Sequence, residues 1–199
     1  MSDLLESYKY TYQGNKKDGE YLIDIYAFKS EIINHQYIIE VINLEYDIYV
    51  VQFYLKCHRL SDNRFNLFIP ESKSKKESKN ININNKHVFL LLNTLTNLAL
   101  EIIKKNPLAS FGFMGAPTTI EQNYKKNKKN INPDKTIKET KRFRVYSLYI
   151  KRYFPPNTFT HIEYRNSSCY LLQNLKNEKI NKEISDNFLN KIISEKISV

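Results

Sequence analysis

The chain contains no tryptophan, only two cysteines, and only six arginines against twenty-five lysines in 199 residues. Each scarcity excludes something. Cys57 and Cys169 stand far apart, and neither belongs to a CxxC pair, so a cysteine zinc site or a disulfide framework has no basis in the sequence. Each lies within an apolar run that reads as a strand, which makes both buried free thiols. The four histidines, His35, His58, His87 and His161, show no ligand spacing, so no metal and no cofactor is expected. Cys57 and His58 are adjacent, and on a strand neighbours point to opposite faces, which argues against a nucleophile and base pair. The four glycines form neither a Walker loop nor a dinucleotide fingerprint. There is no apolar run of about 18 residues, and MSDLLESYKY has neither a basic leader nor an apolar segment. The expectation is a cytoplasmic protein without a membrane span. No internal repeat is present.

What is abundant is aromatic and basic. Fifteen tyrosines and eleven phenylalanines within a 41% apolar composition supply enough surface to offset chain entropy, so a single packed domain over 1–199 is expected. The net charge is +10. Lysine, asparagine and isoleucine are plentiful while arginine and tryptophan are scarce, the usage of an AT-rich coding sequence, so position says more than the total. Residues 123–152 hold eleven basic and two acidic side chains, whereas residues 1–60 hold six basic and nine acidic ones. Such polarity along the chain bears on partners rather than on fold.

Residues 20–57 alternate with period two and are rich in Ile, Val and Tyr, which predicts at least three strands. Asp24, Glu40 and Glu45 punctuate them, as antiparallel strands with one wetter face require. Tyr8–Tyr12 reads as an earlier strand ahead of a turn at Gln13–Gly19, and Arg64–Ile69 as a later strand. Residues 70–86 lack periodicity and read as an exposed polar insertion. Val88, Leu91, Leu92, Leu95, Leu98, Ala99, Ile102 and Ile103 then mark an amphipathic helix, stopped by Pro107 after Lys104 and Lys105. Ala109–Met114 reads as a short buried strand, 120–140 as a second exposed or mobile polar insertion, and Lys141–Phe154 as a helix ending at Pro155. Phe159–Arg165 and Ser168–Leu175 read as two more strands. Residues 184–199 form a C-terminal amphipathic helix with Ser185 as its N-cap. The fold class is therefore α+β: a mainly antiparallel, twisted sheet covered on one face by two helices, with an additional C-terminal helix.

Two stretches carry chemistry. Lys125, Lys126, Lys128 and Lys129 present mobile charges to phosphates, and in the following helix Lys141, Arg144, Lys151 and Arg152 share one side while Val145, Tyr149 and Ile150 are spaced for burial. Tyr146 and Tyr153 would stack on bases if exposed. Three of the six arginines, Arg142, Arg144 and Arg152, fall within eleven residues of this helix. The other stretch is the turn GFMGAPTT, in which Thr118 and Thr119 end a strand where anions gather in α/β folds. Against both stands the commoner outcome of a solvated loop and an ordinary strand end.

In layout the chain resembles a set of small, uncharacterised bacterial α/β proteins. The residues that carry the likeness are the helix Val88–Lys105, the strand and turn Phe111–Thr119, and KRFRVYSLY, Lys141–Tyr149; by layout it spans Tyr21–Leu175. The insertion at 120–140 is longer than the connection typical of that set. The resemblance implies an anion-facing site where the Gly-Thr turn meets Arg142 and Arg144. Three functions are thus in competition. The first is a non-enzymatic DNA- or RNA-binding protein in regulation or defence. The second is an enzyme acting on a phosphate-bearing substrate. The third is an antitoxin-like or phage-encoded module that docks a protein through its acidic N-terminal half or its C-terminal helix.

Overall fold

The structure, a computed structural model, describes residues 5–61, 63–65, 81–118, 120–122 and 130–194, with side chains from residue 85 onward in the 81–118 segment. Seven strands form one sheet: β1 (Tyr10–Asp18), β2 (Tyr21–Ser30), β3 (His35–Asn43), β4 (Ile48–Leu55), β5 (Ser110–Met114), β6 (Phe159–Tyr164) and β7 (Cys169–Asn174). Their order is β1-β2-β3-β4-β5-β7-β6. The first four make an antiparallel meander, as the period-two pattern requires. β5 joins β4 in parallel, and a parallel neighbour cannot be reached by a hairpin. The helix α1 (Ile81–Lys105) lies within that connection. Helices α2 (Lys141–Tyr153) and α3 (Lys182–Ser194) complete an α+β fold.

Cross-strand partners place Tyr26, Ile39 and Phe53 on one face, and Ile42 and Val50 on the other. α2 stands on the first face, where Tyr146 meets Phe53 and Phe113. α1 packs there as well: its His87 is fully buried, with Tyr37 donating or accepting at Nε2 over 2.9 Å and Tyr8 and Ser30 at Nδ1 over 2.8 and 3.1 Å. Tyr8, Phe28 and Tyr37 stack in a row beside it, with ring centroids 5.2 and 4.9 Å apart. α3 takes the opposite face, where Phe188 lies over Gly112. A Cβ at Gly112 would come within 2.1 Å of the Phe188 ring, so the close approach itself demands glycine.

By composition Asn85–Lys105 of α1 is long and apolar enough to cross a membrane. Here Leu91 and Leu98 are buried in the core, and the polar stripe between them is used. Asn97 exchanges two hydrogen bonds with the backbone of Leu5, Asn93 donates to the Glu6 carbonyl, and Thr94 accepts from the Tyr8 N–H. These bonds clamp the N-terminal segment along the helix.

Several expectations need correction. β1 does not stop at Tyr12: a bulge between Tyr12 and Gly14, with Gly14 at φ 115°, lets pairing continue to Asp18, and the turn shrinks to Gly19-Glu20. α1 opens at Ile81, inside the stretch 70–86 assigned to a polar insertion, because helix propagation adds a bond per residue once a nucleus exists. Arg64 and Phe65 lie in a turn rather than a strand, and 66–69 fall outside the described residues. Residues 130–140 are pinned: Ile137 is buried, bridges Ile131, and its carbonyl accepts from Ser168 Oγ at 2.7 Å. Cys57 is exposed in a 3-10 turn at Lys56–His58, whereas Cys169 is buried on β7, where burial pushes its thiol up to about 12. In α3 the cap is Asn181, whose Oδ1 accepts from the Ile184 N–H at 3.0 Å. Ser185 sits buried inside the helix and donates to the Asn181 carbonyl.

A candidate basic interface on α2

Why α2 begins where it does is a matter of one threonine. Thr140 Oγ1 accepts from the Phe143 N–H at 3.2 Å, capping the helix, and donates to the Gly115 carbonyl at 2.8 Å, tying the cap to the end of β5. Gly115 must be glycine: a Cβ there would lie 2.6 Å from the Phe143 nitrogen. The helix then buries Phe143, Tyr146, Ser147 and Tyr149. Tyr149 donates to Asn93 Oδ1 of α1, which fixes the rotation of α2 about its axis.

Given that rotation, Lys141, Arg144, Val145, Leu148, Lys151 and Arg152 are exposed, a continuous stripe at spacings of three and four. Leu148 is 72% exposed in the middle of it. Val145, expected inside, is therefore on the surface, while Tyr146, expected as a stacking ring, is buried, and burial raises its hydroxyl to about 12. Burial of Tyr146 follows from aromatic partners on β4 and β5 that sequence spacing does not reveal. Tyr153 is partly buried beside Tyr149, with Arg152 5.7 Å from its ring centre.

The basic residues do not share one fate. Lys141, Arg144 and Arg152 enter no salt bridge among the described residues. Lys151 pairs with Glu163 of β6, which also holds Arg165, and Arg165 reaches on to Glu139. Arg142 turns inward: its guanidinium donates to the Phe65 carbonyl, and burial lowers its proton affinity. It lies off the exposed stripe. Lys125, Lys126, Lys128, Lys129 and Thr119 fall outside the described residues.

The turn after β5 and the start of α2 do meet, and an anion sits there already. Glu121 accepts from the Thr118 N–H and hydroxyl, both at 2.8 Å, through one oxygen and from the Lys141 N–H at 2.7 Å through the other. Burial opposes its ionisation, yet these donors and the charge of Arg144 hold the carboxyl below its ordinary range. The positive end of α2 is thus occupied by the chain's own carboxylate, in the place a phosphate would take. Sequence reading passed over Glu121; its spacing from Thr118 was the available signal. It also passed over Glu163, whose pairing with Lys151 joins residues remote in the chain.

No group of three or more His, Cys, Asp or Glu side chains suited to a metal occurs among the described residues. No family model, curated protein or solved structure matches the chain.

Proposed function

We propose that this is a non-enzymatic nucleic-acid-binding protein whose contact surface is the exposed stripe of α2. The observation that carries the reading is that Lys141, Arg144 and Arg152 stand on one solvent face of a helix whose other face is locked in the core. From Lys141 to Arg152 the helix rises about 16 Å, enough to follow several phosphates of one strand. The net charge of +10 supports encounter with a polyanion, and Lys125, Lys126, Lys128 and Lys129 precede this helix in sequence. Val145 and Leu148 give the stripe an apolar centre for sugar or base contact.

The test is fluorescence anisotropy with random-sequence single- and double-stranded oligonucleotides over a salt series. Each phosphate contact by the stripe contributes about −0.9 to the slope of log K against log salt on duplex. The double variant Arg144→Ala, Arg152→Ala is expected to flatten the slope by about 2. Absence of binding at low salt, or an unchanged slope in the double variant, refutes the reading.

One observation favours a second reading, an acidic protein partner on the same stripe: Leu148 is the most exposed large apolar side chain of α2. Under the first reading Leu148→Ser leaves the salt slope intact. Under the second, nucleic acid is not bound at all.

A further inference from the structure

The face of the sheet opposite α2 carries a second arrangement that the α2 surface does not explain. Lys16 pairs across to Ile23, Ile23 to Ile42, and Glu40 to Gln52, so these side chains share that face. They border a cavity of about 320 Å³, lined on another side by Arg64, Phe65, Asp18 at the end of β1 and Gly19 of the turn that follows. That volume lies at the lower end of small-molecule sites.

Glu40 is only 2% exposed and fully engaged. It accepts from Lys16 Nζ at 2.7 Å, from Tyr54 Oη at 3.1 Å and from Gln52 Nε2 at 3.0 Å. Binding Glu40 fixes the Gln52 amide, and its Oε1 is left with no partner although Gln52 is 5% exposed. Arg64 has the complementary defect. Its Nε–H is buried without an acceptor, and its guanidinium rests 5.1 Å from the Tyr54 ring centre and 4.7 Å from that of Phe65. Each such group costs about 1–3 kcal/mol and folded proteins hold only a few; among the described residues the third, Asn177 Oδ1, does not line this cavity. Here the residue with the unpaired acceptor and the residue with the unpaired donor line the same cavity, with those two atoms turned away from it. The charges are complementary too: among the described residues neither Arg64 nor Asp18 enters a salt bridge, so one positive and one negative group flank the space. Ile23 and Ile42 add an apolar wall.

We propose that this cavity binds a small zwitterion of the α-amino-acid class, with its carboxylate on Arg64, its ammonium on Gln52 Oε1 and Asp18, and its side chain against Ile23 and Ile42. Such a ligand supplies the missing donor, the missing acceptor and both counter-charges at once. A small rotation of Gln52 and Arg64 brings the two closed-off atoms to the ligand. The inference rests on none of the α2 observations.

The test uses the full chain labelled with ¹⁵N and the Arg64 Nε–H signal as a local reporter. Each proteinogenic L-amino acid is titrated singly, with the neutral nucleosides as a second arm that offers donors and acceptors without paired charges. The expected result is a saturable shift of that signal by at least one amino acid, with Kd below about 1 mM. Asp18→Asn, read on that signal, and Arg64→Gln, read on the Gln52 side-chain amide because the substitution removes the reporter, are each expected to weaken binding about tenfold or more. Asp18 is an exposed side chain at the end of β1, so its variant retains the fold and keeps the test decisive should Arg64→Gln not. The proposal is overturned if no amino acid moves the signal at about 10 mM. It also falls if binding survives both substitutions, or if nucleosides bind and amino acids do not.

Discussion

Acid should loosen this protein at a pH above that at which Glu121 and Glu163 titrate, and the cause is His87. The imidazole is fully buried, both ring nitrogens are engaged by hydroxyls, and burial pushes its pKa down to about 4 from 6.5. A tyrosine hydroxyl serves a neutral ring from either side, donating to one nitrogen and accepting from the other. A charged ring would have no carboxylate among these partners. In the unfolded chain the same histidine takes up a proton near 6.5, so between 6.5 and about 4 the unfolded state binds more protons than the folded one. The contribution is therefore whole above pH 6.5, falls by about 1.4 kcal/mol per pH unit below it, and levels off near 4 after a loss of about 3 kcal/mol. At pH 5 about 2 kcal/mol is gone, a sizeable part of a domain's stability. Glu121 and Glu163, held below their usual range, lose their own contributions only as pH falls below 4.5, which leaves the upper window to histidine. Urea unfolding at a series of pH values, compared with His87→Leu, measures the effect. The variant is less stable at pH 7, because Tyr8 and Tyr37 each lose their ring-nitrogen partner, but its stability should be nearly level between pH 6.5 and 5. Because both proteins gain charge elsewhere alike, the difference between the curves isolates His87. A variant that keeps the wild-type slope, or a wild type that is flat across this window, refutes the reasoning.

Three other outcomes follow from contacts already described. Gly112→Ala drives a methyl group into the Phe188 ring and should cost about 1–3 kcal/mol, with faster proteolysis of α3 than of the rest of the chain; equal stability would mean that α3 does not rest on β5. Thr140→Val removes the α2 cap and the bond to the Gly115 carbonyl together, and a loss of about 2 kcal/mol in chemical denaturation is expected. Glu163→Gln releases Lys151 and removes a negative charge beside the stripe, so nucleic-acid affinity at low salt should rise about threefold, whereas a fall would place the contact elsewhere.

The elements themselves are legible in local pattern. Period-two runs from Tyr21 to Leu55 became β2, β3 and β4, and the stripe from Val88 to Ile103 became the body of α1, because alternation and helical spacing are local properties of the backbone. The basic residues of α2 were legible in the same way, since Lys141, Arg144, Lys151 and Arg152 follow a single helical turn count. Which side of each element meets a neighbour depends instead on residues brought together by folding. Tyr146 goes inward and Leu148 outward because Phe53 and Phe113, from strands far apart in the chain, build the surface on which α2 rests. Glu121 reaches the head of α2, and Glu163 takes Lys151, only because folding brings 118–121 and β6 to that helix. The cavity beside Glu40 is the strongest case. Glu40 and Gln52 look in sequence like ordinary polar residues of half-exposed strands, and only the register of β3 on β4, with Arg64 folded over them, leaves an acceptor and a donor unpaired together. Hydrogen-bond satisfaction is a sum over neighbours in space, and local pattern carries no record of it.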